Sequence, residues 1–345
     1  MSTDSERRLG LGVIGCGYWG PYYVRNALEN SRMRLVAIAD LRQERLDAIA
    51  ARAPGARVTT SQEELLEDPA IEAVAIATPV STHYALARQA LEAGKHVILA
   101  KPMTATSREA MELIALAEER ERVLLVDHTF VYTGAVRHIR RMLEDGALGD
   151  LYYVDSVRIN LGLFQHDVNV IWDLAAHDFS ILHHLLGRSP LAVSAIGASH
   201  APDRLENIAY VHLEYENDLI AHLHVNWLSP VKIRRTVIGG SERMVVWDDL
   251  AADEKLRVYD RGITVAPSEE DLHKTIVSYR TGDALIPALE RHEALALEFD
   301  HFVDCVEGKA VPLTGGEAGL HVVELLEATT TALETRAAVE VGTRA

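Results

Sequence analysis

The sequence predicts an α/β protein in two parts: an N-terminal doubly wound parallel sheet, then a C-terminal α+β domain with a large open, mostly antiparallel sheet. Three features predict it. The apolar run Leu9-Gly10-Leu11-Gly12-Val13-Ile14 passes into Gly15-Cys16-Gly17-Tyr18-Trp19-Gly20, a Gly-x-Gly-x-x-Gly turn that leads into a helix. Up to about residue 127, short apolar strands alternate with helical patterns. Beyond that point, consecutive runs of alternating polarity are separated by turn residues such as Glu216-Asn217-Asp218.

At a turn of this kind the first glycine permits the tight bend, the second lets a pyrophosphate approach the backbone, and the third lets helix and strand pack closely. The anion rests on the helix N-terminus, where free N–H groups and the helix dipole favour negative charge. Residues 34–39 form a second strand ending in Asp40, which follows Gly20 by 20 residues. That is the separation at which an acid meets the adenosine ribose of a dinucleotide. A carboxylate there favours NAD, because it accepts hydrogen bonds from ribose hydroxyls and repels a 2′-phosphate. Leu41 and Arg42 adjoin it, and Arg42 leaves NADP open by offering that phosphate a cation. Residues 71–78, 96–99 and 123–126 supply the remaining strands, with helical patterns such as 43–51 and 84–93 between them. Near-continuous apolar strands suit a parallel sheet covered on both faces. Gly94 suits the left-handed position after a helix. Thr78-Pro79 ends its strand, and Ser81 or Thr82 is the expected cap of the next helix. Together these make residues 1–127 a Rossmann domain.

Residues 128–345 form the expected second domain. Helices are predicted over 134–144 and 170–186, the latter closed by Gly187. Strands are predicted over 151–159, 207–215, 219–227, 234–238, 243–247 and 256–260. Helices 290–306 and 317–333 follow, and the last is a candidate to pack back on the first domain. Residues 267–287 are the least regular, suited to a loop over the site or a subunit contact.

Bulk properties narrow the function. A formal charge of −17 argues against nucleic acid or an anionic membrane surface as partner. No apolar run approaches the ~20 residues of a membrane helix, and the first residues contain no stretch like a signal peptide. Cys16 and Cys305 are the only cysteines, so neither a disulfide framework nor a cysteine zinc site is expected, and the cytoplasm is the expected location. Sixteen histidines raise the question of a metal. His222 and His224 share a strand face, and His183-His184 follow His177 on one helix, but no compact ligand set includes a cysteine, and no metal is expected.

Two segments carry candidate chemistry. Lys101 lies just past the carboxyl end of a strand, where open α/β sheets bind ligands, and Pro102 fixes the turn there. Asp173 and His177 are four residues apart, on one face of a helix. Taken singly, each has an ordinary reading too: a solvated lysine, and a polar pair on a helix surface. The chain resembles the glucose-fructose oxidoreductase/inositol dehydrogenase/rhizopine-catabolism (Gfo/Idh/MocA) family over nearly its whole length. The resemblance rests on Gly15 to Gly20 as written above, Thr78-Pro79 with His83, Ala93-Gly94-Lys95-His96-Val97, Lys101-Pro102, Asp173 followed by His177, and Gly316-Glu317-Ala318-Gly319-Leu320.

The resemblance implies an NAD(P)-dependent oxidoreductase that moves hydride between nicotinamide and a secondary alcohol or ketone of a sugar, nucleotide sugar or cyclitol. It implies Lys101, Asp173 and His177 as the catalytic set, with either Lys101 or His177 taking the proton. The cofactor side comprises Gly15, Gly17, Tyr18, Trp19 and Gly20 in the turn, Asp40, Leu41 and Arg42 at the ribose, and Thr78, Pro79, His83, Lys101 and Pro102 at neighbouring strand ends. Tyr132, Arg158, Asn160, Asn169 and Trp172 are candidates for the substrate side. Arg158 fits a substrate anion or a structural ion pair, and Trp19 and Trp172 fit a pocket wall or the core. The segment 172–179 looks closest to sugar-modifying members. The family also implies that residues 128–345 bind substrate and mediate oligomerisation, as a homodimer or homotetramer. One position departs from it: Ala100 stands where the family usually has Glu in Glu-Lys-Pro. A non-catalytic ligand sensor on the same fold is the alternative.

Overall fold

The computed structural model describes residues 8–162, 168–201, 205–264 and 278–342. Backbone contacts divide the chain into two compact units, Met1–Thr133 with His292–Glu324, and Gly134–Arg291 with Leu325–Ala345.

The first unit is built on six strands, β1 (Leu9–Ile14), β2 (Met33–Ala39), β3 (Arg57–Thr59), β4 (Ala73–Ile76), β5 (His96–Ala100) and β6 (Leu124–Asp127). Their order is β3-β2-β1-β4-β5-β6, and every pairing is parallel. This is the doubly wound Rossmann order, whose direction reverses between β1 and β4 and opens a crevice at the strands' carboxyl ends. β1 and β4 are buried along their whole length, which is why they read as continuous apolar runs. The short edge strand β3 has no such signal, because its residues are exposed or half-buried.

Helices α1 (Gly20–Glu29), α2 (Gln43–Ala50), α3 (Glu63–Glu67), α4 (Val80–Glu92) and α5 (Ser107–Glu119) connect the strands. Thr106 and Glu109 start α5 with a reciprocal capping box. The start of α4 corrects the expectation: Pro79 is its N-cap, and Ser81 and Thr82 lie inside the helix. Thr82 Oγ1 instead donates back to the Pro79 carbonyl and lies 2.7 Å from the Thr78 hydroxyl. Proline's fixed φ already sets the chain's entry into the helix. Gly94 does take the left-handed conformation after α4. Helix Ala294–Val306 belongs to this unit although it lies far along the chain. Its Leu295, Phe299, Phe302 and Val303 form one apolar stripe and pack with Tyr23, Leu35 and Ile38 in a single core.

The second unit opens with α6 (Gly134–Glu144) and carries β7 (Leu151–Leu161), then a helical segment that ends in α7 (Ala176–Leu186). Next come β8 (Ala192–Ala198), β9 (Ile208–Glu214), β10 (Ile220–Asn226), β11 (Leu228–Gly240), β12 (Met244–Asp248) and β13 (Leu256–Tyr259). A separate pair, β14 (Gly262–Thr264) and β15 (Ser278–Arg280), and two short strands, β16 (Ala284–Leu285) and β17 (Val339–Glu340), complete the described set. The main sheet has the order β16-β13-β12-β11-β7-β10-β9-β8-β17. It is antiparallel except where β7 and β10 run parallel at its centre. β8 gives little signal in the sequence, since Ala192, Ser194, Ala195, Gly197 and Ala198 are small and carry little polarity contrast.

Ala221, Leu223 and Val225 bury one sheet face together with Ala209, Val211 and Leu213, while Ile196, Tyr210, Ile220 and His222 are exposed on the other or half-buried. Of the irregular stretch expected over 267–287, residues 267–277 lie outside the described residues. No helix among the described residues is long and apolar enough to cross a membrane.

Candidate active site

The glycine-rich turn joins β1 to α1. Gly15 has φ +95°, and a Cβ there would lie 2.8 Å from the Ala77 carbonyl oxygen. Only glycine takes that conformation at no steric cost. A Cβ on Gly20 would lie 2.0 Å from the Gly15 carbonyl oxygen, so Gly20 is required for the turn to close on its own helix. Gly17 differs from both, because the nearest atom to a Cβ there is Arg45 Nη1 at 3.4 Å. The fold thus tolerates a side chain at Gly17 but leaves the space open, as backbone contact with a pyrophosphate requires. No acidic residue occupies the first turn of α1, and no side chain caps it. These features fit a dinucleotide. Burial first, and Asp40 second, push the Cys16 thiol in this turn up to about 12, which leaves it neutral and unreactive.

Asp40, at the end of β2, is tied to the turn. Its Oδ2 accepts the Cys16 N–H at 2.6 Å, and its Oδ1 accepts the Arg42 N–H at 2.9 Å. The side chain paired with it is Arg45 rather than Arg42, with Nη1 3.5 Å from Oδ2. Arg45 therefore borders both Gly17 and Asp40, which sequence reasoning missed, because only the packing of α2 brings it there. Leu41 and Tyr18 are strongly exposed at this rim.

Lys101 is half-buried at the end of β5. His83 on α4 fixes the backbone around it: Nδ1 lies 2.9 Å from the Pro102 carbonyl oxygen, and Nε2 lies 2.8 Å from that of Thr78. His83 is 1% exposed. It is therefore a staple between two strand ends, which corrects its expected place against the cofactor. Burial holds it below its ordinary pKa. Tyr132 is corrected as well. Its ring is buried against His301, and its hydroxyl lies 3.3 Å from Thr314 Oγ1, all within the first unit's packing.

In the second unit, the helix expected over 170–186 begins as a π-helical turn, Ile171–Ala175, before α7. π turns are rare and recur at functional sites. This one contains Asp173, whose Oδ2 accepts the Trp227 Nε1–H at 3.1 Å. Trp227 is fully buried and fixes that carboxylate, another contribution the sequence did not signal. His177, in the first turn of α7, is half-buried with Nδ1 sealed from solvent.

Three expected substrate residues have structural partners here. Asn169 Oδ1 accepts the N–H groups of Ile171 and Trp172, and its amide donates to Glu206. Trp172 Nε1 donates to Thr330 at 3.0 Å. Arg158 is 3% exposed, and its guanidinium is engaged by Asp178 at 3.0 and 3.2 Å. The structural ion pair, rather than an anion receptor, is therefore the correct reading of Arg158. Asn160 lies two residues further along the same face of β7 and is half-buried. Among the described residues, no group of three or more His, Cys, Asp and Glu is placed to hold a metal. His222 and His224 instead stack on Tyr210.

The profile described as Oxidoreductase family, NAD-binding Rossmann fold (GFO/IDH/MocA) matches residues 9–128, and that of the GFO/IDH/MocA C-terminal domain matches residues 136–246. The chain belongs to the GFO/IDH/MocA family. It is an NAD-binding oxidoreductase, as its resemblance implied. Among curated family members, UDP-N-acetylglucosamine 3-dehydrogenase from Acidithiobacillus ferrooxidans is 29% identical, over 95% of this chain and 96% of its own. The NAD(+)-dependent scyllo-inositol 2-dehydrogenase of Bacillus subtilis is 25% identical over 89% of each. Among solved structures of the family, the Acidithiobacillus enzyme superposes with a TM-score of 0.81 at 28% identity, covering 95% of this chain and 98% of its own. A gentamicin A biosynthesis protein in complex with NAD, 25% identical, has a TM-score of 0.83 and covers 99% of each chain.

Proposed function

We propose that the chain oxidises a secondary alcohol of a sugar, nucleotide sugar or cyclitol, or reduces the matching ketone, with Lys101, Asp173 and His177 as its catalytic residues. The observation that carries the reading is Gly17, which the fold keeps open where the others of its motif are held by sterics. Relatives that act on UDP-N-acetylglucosamine and scyllo-inositol support the substrate class. Bound NAD supplies the hydride acceptor. The ammonium of Lys101 binds the substrate oxygen and stabilises the negative charge that grows on it. His177 or Lys101 holds the hydroxyl proton, and Asp173, fixed by Trp227, orients the substrate or His177. Asn160 and Trp172 remain on the substrate side. Following NAD reduction by absorbance with a panel of nucleotide sugars, pyranosides and inositols tests the reading. It fails if no member of the panel reduces the cofactor.

Asp40 favours NAD, and Arg45 together with Arg42 supplies the cations an NADP phosphate needs. The expected kcat/KM is higher for NAD by about tenfold, or about 1.4 kcal/mol, and a higher value for NADP contradicts the assignment. Ala100, half-buried at the end of β5, leaves the cofactor pocket without its usual carboxylate. Ala100→Glu is expected to change both NAD affinity and turnover, and a variant matching wild type in both removes any role for this position. The open face of the large sheet, with Ile196, Tyr210 and Ile220 exposed, supports a homodimer or homotetramer, which light scattering tests. Two buried free thiols suit a reducing cytoplasm.

A further inference from the structure

Behind the glycine-rich turn, two acidic side chains are buried within reach of each other. Glu298, on helix Ala294–Val306, is 0% exposed, and Asp127, which closes β6, is 3% exposed. Four donors converge on Asp127. Trp19 Nε1–H and the Tyr23 hydroxyl, the latter at 2.7 Å, donate to Oδ2. The Thr129 hydroxyl and the Thr129 N–H, the latter at 3.1 Å, donate to Oδ1. Glu298 is held less firmly. Neither of its carboxyl oxygens has a donor in full bonding geometry among the described residues, although the Thr129 hydroxyl and the His128 backbone approach it, and Asp127 is within hydrogen-bonding reach. Two ionised carboxylates cannot share such a site at low cost, because burial strengthens their repulsion. With one proton between them, Glu298 donates to Asp127 and the repulsion disappears. Asp127 is the acceptor of that hydrogen bond, since four donors already converge on it and Glu298 has none in full bonding geometry among the described residues.

The pair is connected to the cofactor turn, since Trp19 lies between Gly17 and Gly20 and its indole is held by Asp127. We propose that Asp127 and Glu298 share a single proton and, through Trp19, hold the glycine-rich turn in the form that receives NAD, so that affinity falls when the proton is lost. Both act as positioning residues, and the inference rests on the reading that this turn receives the pyrophosphate. Burial first, then the Asp127 charge, push the Glu298 carboxyl well above its ordinary 4.5; Thr129 and the His128 backbone oppose this with smaller effect.

Tyr23 on α1 and Tyr132 on the 3-10 turn after β6 are pushed upward by burial, then by the carboxyls, and stay neutral. On Glu298's own helix, burial holds His301 below its ordinary pKa and raises the Cys305 thiol to about 11. The His128 side chain, next to Asp127 in the chain, is buried as well.

The same proton sets the sign of the stability effect. The unfolded chain ionises Glu298 near its ordinary 4.5, while the folded chain keeps the proton. Rising pH therefore favours the unfolded state from that point until the folded-state carboxyl ionises. Glu298→Gln, a neutral donor of the same shape, removes this loss and flattens the dependence of Tm on pH.

The test is direct calorimetric titration of wild type and Glu298→Gln with NAD from about pH 6 to about pH 9, the range in which buried glutamates titrate. Wild-type affinity is expected to fall about tenfold across that range, and the variant's to stay level. An infrared difference spectrum between the two proteins at the acid end is expected to show the carbonyl band of a neutral carboxylic acid in wild type only. Parallel affinity profiles, or a wild-type spectrum without that band, overturn the shared proton while leaving the turn as the NAD site. Failure of both proteins to bind NAD at every pH overturns both. Should the variant not fold, the wild-type band and affinity titrating together with pH is the expected result, and their moving independently overturns the proposal.

Discussion

Replacing Lys101 with methionine is expected to lower kcat by about 10²- to 10⁴-fold, the contribution of a positioned acid–base group. Methionine keeps an unbranched apolar stem and removes the charge, so the packing at the end of β5 survives. The backbone there is fixed independently, by His83 bridging the carbonyls of Thr78 and Pro102. The NAD dissociation constant is therefore expected to stay within about threefold, less than 1 kcal/mol. Steady-state turnover and a separate NAD titration measure the two effects. A variant with wild-type turnover removes Lys101 from the reaction, and one that cannot bind NAD reassigns it to the cofactor. The basic or acidic limb lost from the pH profile in Lys101→Met, compared with His177→Asn, identifies which of the two holds the proton.

Gly17→Val is the second large effect, and it separates a functional glycine from a structural one. The space beside Gly17 contains only the end of the flexible Arg45 side chain. Its φ lies outside the left-handed region, so valine introduces no backbone strain of that kind. Folding stability is expected to change by no more than about 0.5 kcal/mol. NAD affinity is expected to fall about 100-fold or more, some 2.8 kcal/mol, because the branched side chain fills the approach to the backbone. Thermal unfolding of the protein without cofactor gives the first quantity, and calorimetric titration with NAD the second. Equal NAD affinity in the two proteins removes the pyrophosphate from this turn. The same experiment on Gly20 is expected to lose the fold along with the affinity, since a Cβ there meets the Gly15 carbonyl oxygen at 2.0 Å.

The sequence carried the elements whose signal is local. β1 and β4 are apolar throughout because both faces of the parallel sheet are covered, and the left-handed Gly94 marks the end of α4. Weaker signals went unread: β3 is too short and too exposed, and β8 is too rich in small residues to show alternation. The start of α4 differs from the expectation because a capping serine or threonine and a proline N-cap look equally suitable in a one-dimensional string. The π turn at Ile171–Ala175 was unreadable, since its extra residue per turn depends on packing and on the Asn169 cap rather than on periodicity.

The order of residues by itself determined the dinucleotide turn, the alternation that builds a parallel sheet, and the residue types available for chemistry. Each of these depends on neighbours within a few positions, where backbone sterics and hydrophobic periodicity act. Tertiary structure alone decided the partners: Arg45 beside Asp40, Asp178 on Arg158, Trp227 on Asp173, and Glu298 against Asp127. Glu298 lies 171 residues from Asp127 in the chain. Whether such a carboxylate is a solvated surface charge or a buried acid depends on which helix covers it, and chain folding, not local composition, settles that.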